Sequence, residues 1–276
     1  MKNKNKFHLS FLAIFSFLVI MISLIIISYS QSNNIVLYYK LETNYIMDNL
    51  NIKSPQNTKL TENIENNQEN IKNTLDFYIS ENKIKINSVE LSNNQIVTDT
   101  SVIIDDNSNK LNIYIIDNIQ KVYSVISQEN IDTFLSSENQ IKEIINNSTI
   151  KKEGNEKVGN LVCEKYSVFY NNKKLIELYT INYKKLISSK DQEYFKKLYL
   201  ESKLINKLNN FNDLGNKLAS KVSKENIPIK YNLFEDGKLS FTTFLKEIKF
   251  IEYNKKYFQI PSNYKKIDFK IDFNKN

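Results

Sequence analysis

Cys163 is the only cysteine in this chain of 276 residues, and Lys165 stands two positions beyond it in "VCEKYSVFY". In an extended strand, residues two apart share a face. The Lys165 ammonium would then lie beside the thiol, and a neighbouring cation is one way a cysteine becomes a nucleophilic thiolate. The competing reading makes Cys163 a small hydrophobe packed between strand neighbours. The sequence favours packing, because the rest of a nucleophilic constellation is missing. The single histidine, His8, stands in the leading segment, so neither a serine nor a cysteine nucleophile has an imidazole base, and His-based zinc sites have no ligands. In "DDNSNK", Asp105, Asn107 and Asn109 fit the first, third and fifth positions of a calcium loop. Lys110 stands where that loop needs glycine and Ile116 where it needs glutamate, so a hairpin turn is the better reading. Glu62 and Glu65 fall in a polar stretch and read as solvated. Four scattered glycines cannot build a phosphate loop or a dinucleotide fingerprint. No catalytic residue, metal site or cofactor is expected, and the chain reads as a non-enzyme.

What remains is apolar surface and the elements that carry it. Aromatic residues make up 12% of the chain, mostly Tyr and Phe on strand-like runs. They either line a pocket for an acyl chain or other apolar ligand, or simply fill a core. In "VCEKYSVFY", Val162, Tyr166, Val168 and Tyr170 share one strand face and Cys163, Lys165, Ser167 and Phe169 the other. "NNKK" turns the chain and "LIELYTINY" returns. "IVLYYKLE" at 35–42, "DFYISENKIKINSVEL", "TSVIIDDNSNKLNIYIIDNIQKVYSVI" and "STIKKEG" read as further strands and hairpins. A hairpin over "IPIKYNLFEDGKLSFTTFLKEIKFIEYN" has Asp236-Gly237 at its tip. A last strand is expected near Lys266 to Phe273. The polar, Asn-rich stretch around 45–74 reads as an insertion. Two segments switch to helical period: Gln128 to Asn146, and a longer one from Asp191 to about Val222. In the longer one, Tyr194, Leu198, Ile205, Leu208, Phe211, Leu218 and Val222 fall near one stripe, and Gly215 stands as a potential interruption.

"MKNKNKFH" followed by the uncharged run Leu9 to Ser30 is a Lys-rich start and an apolar core. The pattern predicts export, with the N-terminus left in the cytoplasm. Ser28 and Ser30 suit a signal-peptidase cut before Gln31, while the length of the run suits a bilayer-spanning anchor, and the sequence leaves both open. No residue is Arg, and the formal charge of +7 falls to +4 without Lys2, Lys4 and Lys6. So small a surplus, without the guanidinium that reads guanine and phosphate, predicts no nucleic-acid partner. The heavy use of Asn, Ile, Lys, Tyr and Phe matches an A/T-rich genome, which makes composition a weak guide to function.

Two ordered motifs carry a resemblance. Gly154, Glu156, Val158, Gly159, Cys163, Lys165 and Tyr166 form the first, and Phe258, Ile260, Pro261, Tyr264, Lys265 and Lys266 the second. Together they resemble an exported bacterial domain family of unknown function, over roughly Tyr78 to Asp268. The long Asn-rich insertion departs from that pattern. The family is similar in fold to the outer-membrane lipoprotein carrier (LolA-like) domains. That resemblance implies a half-open antiparallel barrel with helices over its concave face, often holding acyl chains, and it implies that Cys163 is a strand signature residue.

The fold class expected is therefore α+β: a curved antiparallel sheet, a half-open barrel, with helices packed on the concave face, preceded by an N-terminal hydrophobic signal or anchor helix over 1–30. Residues 31–276 form a single exported domain. Its expected function is non-enzymatic binding of a lipid or other apolar ligand in the cell envelope. The alternative is a structural protein with a filled core and an envelope protein as partner. Tyr166, Val168 and Tyr170 on the sheet, with Leu198, Ile205 and Leu208 on the helix opposite, are the candidate cavity lining. If the leader is uncleaved, residues 9–30 also make the membrane a partner.

Overall fold

Two meanders joined along one seam make the fold. In the computed structural model, which describes residues 35–45, 71–107, 110–127, 146–201, 204, 220–235 and 237–268, strands β1 (Ile35–Tyr45), β2 (Ile71–Ile79), β3 (Lys83–Ser92), β4 (Gln95–Asn107), β5 (Lys110–Asp117) and β6 (Val122–Ser127) pair in chain order. Strands β7 (Thr149–Val158), β8 (Leu161–Tyr170), β9 (Lys173–Asn182), β10 (Asn226–Glu235) and β11 (Lys238–Glu252) do the same. β11 then pairs antiparallel with β1, so that one sheet contains both meanders. A short β12 (Lys265–Lys266) adds to β6 in parallel. The order is β12-β6-β5-β4-β3-β2-β1-β11-β10-β9-β8-β7, with β12 and β7 as open edges. The curved antiparallel sheet expected from the sequence is thus present and unclosed, with few helices among the described residues.

Tight turns hold the meanders, and asparagine takes many of the positions that glycine fills elsewhere. Asn93 and Asn94 both have positive φ (51° and 62°), as do Asn171 and Asn172 (48° and 59°). Two consecutive left-handed residues are what a type I′ hairpin turn needs, and Asn tolerates that region better than other side-chain-bearing residues. Gly159, at φ +59°, opens the β7–β8 turn.

Alternation along the strands gives the sheet two faces. On one, a cross-strand row of aliphatics runs Leu37, Ile79, Ile84, Ile104, Ile113, Ile126. Beside it lies a second row: Tyr39, Phe77, Ile86, Val102, Ile115. The other meander continues this face with Tyr166, Leu178, Tyr231 and Thr243. Helix α1 (Gln192–Phe195) and the single π turn that follows it, Lys196–Leu200, pack here, with Phe195, Leu198, Tyr199 and Leu204 inside the same apolar cluster. On the opposite face the chain end Tyr253–Asp268 forms a strap. Tyr257 stacks on Tyr78 with ring centroids 5.1 Å apart, Phe258 is buried, and the Tyr264 hydroxyl donates to Asn118 Oδ1 at 3.2 Å. Val36, Ile103 and Ile116 on this face are buried as well.

Four expectations need correction. The polar insertion is shorter at its far end, because Ile71–Thr74 already belong to β2. The long helical pattern is not one helix: Glu201 leaves helical geometry (φ −114°, ψ 9°) after closing the π turn onto the Lys196 carbonyl. Its stripe also differs, since Phe195 and Tyr199 are buried whereas Tyr194 is exposed. The last strand is only Lys265–Lys266. The expected helix over 128–146 lies outside the described residues, except that Asn146 and Asn147 are helical. The leading segment 1–30, Gly215 and Asp236 also lie outside them. Among the described residues no helix is long and apolar enough to cross a membrane.

Candidate functional site

The helix-bearing face places Tyr166, Val168 and Leu198 in one apolar cluster, each at most 2% exposed. Tyr170 does not join them: it is half-buried at the end of β8, paired with Lys173 beside the turn. Val162, on the same strand face by alternation, is 49% exposed. Ile205 and Leu208 lie outside the described residues. The helical side of the layer is built on rings. Phe195 stacks on Tyr183 and on Tyr199, both at 4.8 Å between centroids. Tyr199 does not stand out in the sequence pattern, because a π turn advances the stripe at a different rate from the 3.6-residue period.

Tyrosine hydroxyls punctuate this layer. Tyr39 donates to the Pro228 carbonyl at 2.8 Å. Pro228 sits in β10, an interior strand, where a missing N–H would normally break the ladder. The register shift between Pro228 and Lys230 accommodates it. Thr43 and Thr243 join through their hydroxyls at 2.8 Å. Burial pushes the Tyr39, Tyr199 and Tyr231 phenols up, and Tyr39 also feels the other two. Tyr166 reaches out of the layer to donate to Glu164 Oε2 at 2.8 Å. Glu164 also accepts from Lys152 at 2.6 Å and Asn226 at 2.8 Å, and the Lys152 bond leads in holding its carboxyl low. A void bordered by Tyr39, Leu41, Ile229, Tyr231, Thr243 and Leu245 has no room even for a water molecule.

The opposite face of β7–β11 carries a charged network. Glu177, with its side chain 9% exposed, accepts from Lys174 at 2.6 Å and Asn232 at 2.8 Å. Lys165 lies 3.3 Å from Glu177 and 2.9 Å from Glu156. Burial alone would raise the Glu177 carboxyl. The Lys174 and Asn232 bonds and the Lys165 charge outweigh it and hold the group at about 2. Lys230 and Lys165 flank the Tyr179 ring at 4.7 Å and 5.4 Å, a cation–π arrangement. Two residues of the first motif, Glu156 and Lys165, therefore meet directly. Glu177, Asn232 and Lys230 carry no sequence signal, since they converge from separate strands.

Lys165 is thus committed to carboxylates and does not activate Cys163. Cys163 is 1% exposed, its Sγ lies 3.5 Å from the Leu161 carbonyl, and burial pushes the thiol up, away from the thiolate. Glu156 pairs opposite it on β7. Among the described residues no cluster of His, Cys, Asp and Glu is arranged to hold a metal ion.

Comparison with known families matches residues 59–264 to the domain of unknown function DUF4412, and the chain belongs to that family. No curated protein matches the chain. One similar solved structure is an uncharacterized conserved protein from Thermus thermophilus, 7% identical, with a TM-score of 0.44, covering 85% of this chain and 90% of that one.

Proposed function

We propose that this member of the DUF4412 family is an exported, non-enzymatic cell-envelope protein that binds a lipid or other apolar ligand between its sheet and its helices. In this reading the sheet is a half-open barrel of the lipoprotein-carrier kind, and the helix covers its concave side. The observation that carries the proposal is the cover itself. Over Leu198 and Tyr199 the apolar layer is closed by a short piece of helix, half of it a π turn, that breaks at Glu201. Between Gln192 and the break at Glu201 there is little regular backbone hydrogen bonding to give up when the cover shifts, and π turns recur at functional sites. The charge-free run Leu9–Ser30 behind Lys2, Lys4 and Lys6 supports export.

A second reading is a structural or interaction protein whose core is full. The void beside Tyr39 and Tyr231, too small for water, is the close packing this reading expects at that point. Native mass spectrometry of residues 31–276, exported in a bacterial host and purified without detergent, separates the two. A reproducible added mass, released on denaturation and identified as a lipid, supports binding. A clean apo mass that persists after incubation with membrane lipids refutes it and directs the search to envelope proteins.

A further inference from the structure

Tyr199 is 3% exposed, and its Oη has no hydrogen-bond partner among the described residues. Tyr39, whose phenol feels that of Tyr199, differs: it donates to the Pro228 carbonyl. A buried hydroxyl left unpaired is costly, and native structures rarely keep one without reason. Tyr199 also lies in the π turn, which touches β1, and its phenol acts on that of Tyr39.

We infer that the Tyr199 hydroxyl is the polar contact for the bound ligand, donating to a neutral acceptor such as an ester, amide or ketone carbonyl on an otherwise apolar molecule. This rests on the binding reading above. A neutral acceptor follows from the surroundings. The phenol sits among Phe195, Leu198 and other apolar groups, and burial alone shifts it, with no cation contributing. A carboxylate brought there would lose its hydration without a counter-charge. A plain hydrocarbon would leave the hydroxyl as orphaned as before.

The test uses envelope membranes containing the full chain, wild type or Tyr199→Phe. Two diazirine-bearing probes of equal length are crosslinked to each, a long-chain methyl ketone and the matching alkane, and adduct yield is read by mass spectrometry. In wild type the ketone should give about fivefold more adduct than the alkane, the worth of one hydrogen bond. Tyr199→Phe should bring the ketone down to the alkane level and leave the alkane yield unchanged. Its melting temperature should be equal or higher, because an unpaired buried hydroxyl has been removed. Equal yields of both probes in both proteins would overturn the inference while leaving binding intact. Loss of both probes together in Tyr199→Phe would also overturn it, by assigning the residue to the fold. No adduct from either probe in wild type would sink the binding reading itself.

Discussion

Glu177 is a carboxylate that the folded chain holds at about 2 instead of the ordinary 4.5. A depressed folded value stabilises the fold above the unfolded value and loses that contribution as pH falls through the folded one. Between pH 4.5 and about 2, therefore, wild type should lose stability faster than Glu177→Gln. The difference should be on the order of 1 kcal/mol after solvent screening, read from urea unfolding across that range. At neutral pH, Glu177→Ala should cost about 3 kcal/mol, since Lys165 and Lys174 lose a largely buried counter-charge. Half of this network is visible in the sequence, because Glu156 and Lys165 sit in one motif. The other half is not: Lys174 and Glu177 of β9 meet Asn232 of β10 only through strand register, which no local period encodes. Likewise, Tyr166 and Val168 are readable as buried partners from alternation. Tyr170 is not distinguishable from them, because alternation does not say where a strand runs out of cover.

At the scale of elements, the hairpins are legible wherever turn residues stand between apolar runs, as at "NNKK". The Asn93-Asn94 turn escapes notice because asparagine is common throughout this chain and stands out nowhere. Its role is conformational all the same. Asn172→Ala should cost about 1 kcal/mol, the penalty of a left-handed alanine, whereas Asn172→Gly should stay within a few tenths. Thermal unfolding of the pair checks it. The helix is legible as a helix but not in its length, since the break at Glu201 comes with no Gly or Pro. The strap is a third case. Its motif reads as a sequence signature, and the structure gives it a job: it anchors through Phe258, Tyr264 and the backbone bonds Lys265 N to Lys121 O (3.0 Å) and Ile267 N to Tyr123 O (2.8 Å). Phe258→Ala should cost about 3 kcal/mol, measurable by the same unfolding curves.

For the whole molecule, an open sheet must protect two edges. The strap's two-residue β12 shields part of one, along Val122 and Tyr123 of β6. β7, the other, is solvent-exposed along nearly its whole length and carries Lys151, Lys152 and Lys157, with a register shift before Gly154 at φ +111°. Charges and bulges of this kind discourage edge-to-edge pairing. Replacing Lys151, Lys152 and Lys157 with threonine should produce concentration-dependent oligomers in light scattering, where wild type stays unchanged.

The seam between β1 and β11 has a consequence in time. The first strand of the sheet finds one of its two neighbours only when nearly the last stretch of chain is made. A chain that emerges from its N-terminus can assemble the first meander early, by local hairpins. One long flank of that meander then stays unpaired until β11 arrives, and the two halves join last. Any chain cut before β11 begins at Lys238 would carry that flank open permanently. Late arrival, rather than slow hairpins, should therefore set the pace of maturation and mark the interval in which the nascent protein most needs a chaperone.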